Sequence, residues 1–195
     1  MHMTILSLIK RMPSYADEVK IGISEAIGVN IKGISTAQFY GIALTAGYIL
    51  GNEQMLNDIR SEAKMHLQEQ HSDACKTAAV IMSARSAYHV FRRREHTGAK
   101  VVAVDEVMLD TAERFKVNDV KVPEMDFAVY CLTAAILLCC NACSNYYTDF
   151  LIQRGVPIES LDKIVCFISF LRAAAAALEI ESMRSYDFIL REESF

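Results

Sequence analysis

Two stretches of this chain recur at nearly one spacing, and that recurrence constrains the fold more than any other feature. Phe39-Tyr-Gly-Ile-Ala-Leu44-Thr45-Ala46 returns as Phe127-Ala-Val-Tyr-Cys-Leu132-Thr133-Ala134, an offset of 88 positions. Lys76-Thr-Ala-Ala-Val-Ile81-Met-Ser-Ala-Arg85 pairs with Lys163-Ile-Val-Cys-Phe-Ile168-Ser-Phe-Leu-Arg172 at an offset of 87. Two matched patches at almost one offset point to an internal duplication; chance likeness between amphipathic helices is the competing account. The repeated unit reads as helical, because no alternation of apolar and polar residues bounded by turn residues occurs. The expected class is therefore all-α: one domain over 1–195, made of two similar helical halves at about 14–95 and 104–190. A polar segment over 96–105 links them.

Local signals agree with helices. Ser14-Tyr-Ala-Asp17 and Ser35-Thr-Ala-Gln38 have the spacing of a capping box, in which a hydroxyl and the residue three later satisfy orphan backbone donors. Pro123 and Pro157 suit a first helical turn, and Gly33 and Gly155 suit helix stops. The segment from Pro157 to Glu179 is apolar nearly all round, with alanine throughout 173–177. That pattern predicts central burial in a tight bundle or a subunit interface, where Arg172 needs a partner.

Composition narrows the function classes. A net charge of -4 gives no electrostatic reason to expect nucleic acid or an anionic membrane as partner. Arg92-Arg93-Arg94, flanked by Glu95, reads as a solvated helix end. The longest apolar stretch, 127–143, is shorter than the ~20 residues a spanning helix requires. The first residues place Lys10 and Arg11 after their apolar stretch instead of before it, unlike a secretory signal. A cytoplasmic, soluble protein is expected.

Chemistry concentrates in Leu137-Leu-Cys-Cys140-Asn-Ala-Cys143-Ser-Asn-Tyr-Tyr147. In a reducing compartment a C-x-x-C is usually redox-active or metal-binding. A metal site wants more ligands, and His66 with His71 is the one close histidine pair, expected at the surface of a distant helix; no metal is expected. Cys75, Cys131 and Cys166 lie on apolar helical patterns and read as small buried hydrophobes. Cys139 reads as a packed residue without a role. A chain break near Cys139 and a new helix at Cys140 would set the first thiol against unpaired N–H groups, which favour thiolate. Under the repeat, Cys140 and Cys143 correspond to Asn52 and Met55, so only the second half carries the thiols.

Over 5–181 the sequence resembles the alkyl hydroperoxide reductase D proteins of the carboxymuconolactone decarboxylase-like superfamily. The resemblance rests on Leu8-Ile-Lys-Arg-Met-Pro-Ser-Tyr-Ala-Asp-Glu-Val-Lys20, Ser61-Glu-Ala-Lys-Met-His-Leu67, Ala79-Val-Ile-Met82 leading to Tyr88-His89-Val-Phe91, and the block 140–178 containing Arg154-Gly155-Val156. It implies duplicated helical halves, commonly a homotrimer, and no bound cofactor. It also implies a C-x-x-C dithiol that reduces a peroxiredoxin partner, takes electrons from lipoyl groups on an acyltransferase, and has weak direct peroxidase activity. The family keeps a glutamate twelve residues before the first cysteine and a histidine four after the second. Here those positions hold Ala128 and Tyr147, and a further histidine seen between the cysteines in some members is Ala142.

The expected function is thus thiol–disulfide redox chemistry of antioxidant defence at Cys140 and Cys143, with Tyr147 as a substitute in the relay. Tyr147 is a poor base at neutral pH, since a phenol titrates near ~10. Asp126 lies two residues out of register, about 200° round a helix from the relay position; Glu124 and Asp149 are the other nearby carboxylates. Helix-start logic favours Cys140 as the attacking thiol, whereas the family's relay is aimed at the second cysteine. The rival expectation is a homologue that kept the bundle for binding, regulation or structure. A decarboxylase of the same superfamily is less favoured, because that chemistry calls for no dithiol.

Overall fold

The computed structural model describes residues 5–28, 31–94 and 121–192. Among these residues the chain forms eight α-helices, one 3₁₀ turn and no strand. They are α1 (Ile5–Arg11), α2 (Asp17–Gly28), α3 (Thr36–Leu50), α4 (Glu53–Ala63), α5 (Glu69–Arg94), α6 (Glu124–Leu137), α7 (Asn141–Gln153) and α8 (Ile158–Glu192). The linker expected over 96–105 lies outside the described residues.

α3 and α6 hold the centre. Every residue from 41 to 47 in α3 and from 126 to 135 in α6 is buried. Helices apolar on all faces can only be stable with neighbours all round. Accordingly α3 packs on α4, α5, α6 and α8, and α6 packs on α7, α8, α3 and α5. Gln38 and Asp126, 88 positions apart, meet where the two helices cross: Gln38 Nε2 donates to Asp126 Oδ1 at 2.7 Å. Burial of side chains such as Leu44, Leu132 and Phe167 stabilises the bundle by about 1.5–3 kcal/mol each.

The helix ends follow their sequence signals in most places. Ser35 caps α3: Gln38 N donates to Ser35 Oγ at 3.1 Å and Ser35 N donates to Gln38 Oε1 at 2.8 Å. Pro123 and Pro157 immediately precede α6 and α8. Gly33 and Gly155 have φ of 79° and 89°, the left-handed region that favours glycine. The Ser14 box does not form. Ser14 lies inside the 3₁₀ turn Ser14–Ala16, behind Pro13, and its hydroxyl caps nothing.

α1 is held on α4 by two carboxylates one turn apart. Arg11 pairs with Asp58, which is fully buried. The Ile5 N–H donates to Glu62 Oε2 at 2.7 Å and the Tyr40 hydroxyl to Glu62 Oε1 at 2.9 Å.

Four expectations need correction. α8 is not buried all round: Val165, Ile180 and Met183 are exposed, because only one face meets α2, α3 and α6. Cys166 lies on that outer face and is exposed. Arg172 is exposed as well, and Nη1 donates to the Leu137 carbonyl oxygen at 2.7 Å, capping the end of α6. His71 is not at the surface; its Nε2 lies 3.3 Å from Asp126 Oδ2, so the buried carboxylate draws it into the α3–α6 crossing. His66 is exposed in the turn after α4 and stacks on Tyr40 at 4.0 Å.

No described helix is long and apolar enough to cross a membrane.

Candidate active site: a dithiol between α5, α6 and α7

The turn from α6 into α7 sets the geometry. α6 ends in a Schellman motif: Cys139 N donates to Ile136 O and Cys140 N to Ala135 O, both at 3.0 Å. That motif needs a left-handed residue, normally glycine, and Cys139 supplies it with φ of 55°. Cys139 is exposed, so the sequence reading of it as packed is corrected: it closes a helix. Gly51, with φ of 70°, does the same work at the end of α3.

Cys140 then becomes the N-cap of α7, its carbonyl accepting the first helical bond from Ser144 N at 2.9 Å. At the start of α4 the corresponding position is Asn52, whose Oδ1 accepts from Met55 N at 3.0 Å. Cys140 makes no such bond. A sulfur at this position faces the same unpaired backbone donors.

Cys140 and Cys143 are both buried and both reduced. Burial first of all, and then its hydrogen bond to Cys140, push the Cys143 thiol up to about 12. Cys143 S–H therefore serves as the donor and Cys140 sulfur as the acceptor.

α5 brings the remaining groups. A ring nitrogen of His89 and the sulfurs of Cys140 and Cys143 all lie within 4.8 Å of one another. Arg85, one turn earlier on α5, donates from Nη1 to the Tyr147 hydroxyl at 3.0 Å. Its charge favours the thiolate of both Cys143 and Cys131. Tyr147 also hydrogen-bonds Cys131, and burial drives its phenol upward, away from any role as a base near neutral pH. The structure thus ties Tyr147 to Arg85 and Cys131, and only through Arg85 to the pair.

The other relay substitutes weighed in the sequence are placed elsewhere. Ala128 is buried and offers no proton. Asp126 is committed to Gln38 and His71. Glu124 pairs at the surface with Arg154 at 3.1 Å, and Asp149 is exposed on α7.

His89, Cys140 and Cys143 could supply three ligands of a tetrahedral cation site. Among the described residues no fourth histidine, cysteine or carboxylate joins them, and the Arg85 charge beside the thiols opposes a cation. Sequence reasoning missed His89 and Arg85 because both come from a helix some fifty positions before the motif. Their four-residue spacing, which places two side chains on one helix face, was the available signal.

No protein-family model matches the chain. Curated relatives do. It is 25% identical to the alkyl hydroperoxide reductase AhpD of Methylocella silvestris over 184 residues, covering 94% of this chain and 99% of that protein. Its identity is 24% to the same-named protein of Rhodospirillum centenum, covering 94% and 95% of the two chains. The protein of that name from Solibacter usitatus is 24% identical, covering 92% and 98%.

Over nearly its whole length the chain is similar to proteins named AhpD.

The likeness covers both chains nearly from end to end, and the shared name of these relatives is that of alkyl hydroperoxide reductases.

Proposed function

We propose that this AhpD-like protein is a thiol–disulfide oxidoreductase whose Cys140 and Cys143 cycle between dithiol and disulfide. The observation that carries this is the pair itself: a buried sulfur at a helix N-cap, hydrogen-bonded to a second buried thiol three residues on. The Cys140 thiolate attacks a peroxide or disulfide, and Cys143 resolves the intermediate. The relatives' name supports an alkyl hydroperoxide as ultimate oxidant. A peroxiredoxin as the immediate oxidised partner, a lipoylated acyltransferase as donor, a cytoplasmic setting and a trimer follow from the same reading.

The test is peroxide consumption with dihydrolipoamide as donor, with and without a peroxiredoxin, in wild type, Cys140→Ser and Cys143→Ser. Turnover is expected in the wild type and in neither variant, and mild oxidation is expected to give an intramolecular Cys140–Cys143 disulfide by mass spectrometry. Ala128 and Tyr147, where the resembling family keeps acid and base, favour one second reading: a homologue retained for binding or regulation. Wild-type protein without thiol-dependent turnover selects it.

A further inference from the structure

α5 presents two groups to the dithiol that lie outside the cysteine motif. A ring nitrogen of His89 is within 4.8 Å of both sulfurs. Arg85 is partly buried; among the described residues its Nε has no hydrogen-bond partner, its Nη1 donates to the Tyr147 hydroxyl, and its charge acts on the thiols Cys131 and Cys143. A partly buried guanidinium is stabilised by a nearby anion. A thiolate in the pair beside it would supply one. Arginine stays charged at any working pH and can stabilise a thiolate without making one, whereas imidazole can take a proton near neutrality.

We propose that His89 is the base that takes the Cys140 Sγ proton, and that Arg85, beside the adjoining Cys143, is the fixed positive charge that stabilises an anion on the pair. This rests on the dithiol reading above. The proton passes from Cys140 to the imidazole, leaving thiolate and imidazolium. With an alkyl hydroperoxide, the S–O bond forms as the O–O bond breaks, and the departing alkoxide takes the proton from His89, giving an alcohol and a sulfenic acid. Cys143 sulfur then displaces that oxygen: the S–S bond forms, the S–O bond breaks, and water leaves with the Cys143 proton. Arg85 stabilises the Cys143 anion as it develops. A dithiol donor returns two electrons and two protons. Around this exchange stand Arg85 and His89 from α5, with Tyr88 against the His89 ring, Cys131 from α6, and Tyr147 from α7, with the exposed Tyr146 against it; Arg172 of α8 is held by the Leu137 carbonyl.

The experiment is the pH dependence of Cys140 alkylation by a small haloacetamide, read at the Cys140 peptide by mass spectrometry, in the full chain. It needs no turnover, so it fails or succeeds independently of the dithiol reading. His89→Gln is expected to move the profile upward and slow alkylation at neutral pH about tenfold, one unit of thiol pKa. Arg85→Met is expected to act in the same direction and Arg85→Lys to restore most of the rate. Free imidazole in the buffer is expected to rescue His89→Ala, which a purely structural role for His89 would not allow. A profile unchanged in both His89→Gln and Arg85→Met overturns the proposal. So does stoichiometric zinc retained by the wild type that protects both thiols and is lost in His89→Gln. Wild-type protein that is inactive toward peroxide yet shows the His89-dependent profile leaves the proposal standing and sinks the peroxidase reading.

Discussion

Cys139 occupies a conformation that costs an L-residue about 1 kcal/mol or more relative to glycine, and its side chain points to solvent. Cys139→Gly is therefore expected to raise stability by up to about 1 kcal/mol, part of the gain being offset by the looser unfolded chain. The check is a higher urea midpoint with an unchanged m value. The same residue shows where sequence reading stops. The break near Cys139 and the helix beginning at the site were legible from Asn141 and Ser144. The exposed, left-handed role was not, because cysteine carries no propensity for it and only the Gly51 turn of the other half displays the need.

Between elements, the α3–α6 crossing is the contact with least tolerance. A Cβ on Gly41 would stand 2.1 Å from Tyr130 Cε1, and Tyr130 is completely buried. Gly41→Ala is expected to destabilise by about 1–3 kcal/mol through overpacking, despite the roughly 1 kcal/mol that alanine gains in a helix interior; thermal unfolding measures the net. The matched stretches beginning at Phe39 and Phe127 marked α3 and α6 in the sequence as alike, and those two helices pack against each other, with Gln38 bonded to Asp126. Which helix was central was misread, since the alanine-rich face of α8 looks as apolar as α3 in sequence. Its exposed valine, isoleucine and methionine carry no mark that distinguishes them from core. Arg85 and His89 escaped for a related reason: the contact of α5 with α7 is non-local, and no local pattern encodes which turn of α5 meets the thiols.

At the scale of the whole molecule, the bundle buries several groups that ionise only with difficulty. Burial pushes the thiols of Cys75, Cys131 and Cys143 each up to about 12 from an ordinary 9.0. Burial, with Glu62 adding to it, pushes Tyr40 up to about 12 from 10.0. The folded state thus keeps protons that the unfolded chain releases above about 9. Stability from this source is complete below that pH and falls as pH rises from about 9 toward about 12. Urea midpoints compared at about pH 8 and about pH 10.5 are expected to show the loss, and Cys131→Ala is expected to flatten it.

The packing of α5 against α7 has a consequence beyond the reaction. The thiols come from the second half of the sequence, while the imidazole and guanidinium that adjoin them come from the first. Neither half holds the site alone, so selection on the chemistry acts on both together. A change at 140 or 143 is then expected to be tolerated where 85 or 89 changes with it, and the two stretches should drift through sequence space as a linked pair although more than fifty positions separate Arg85 from Cys140.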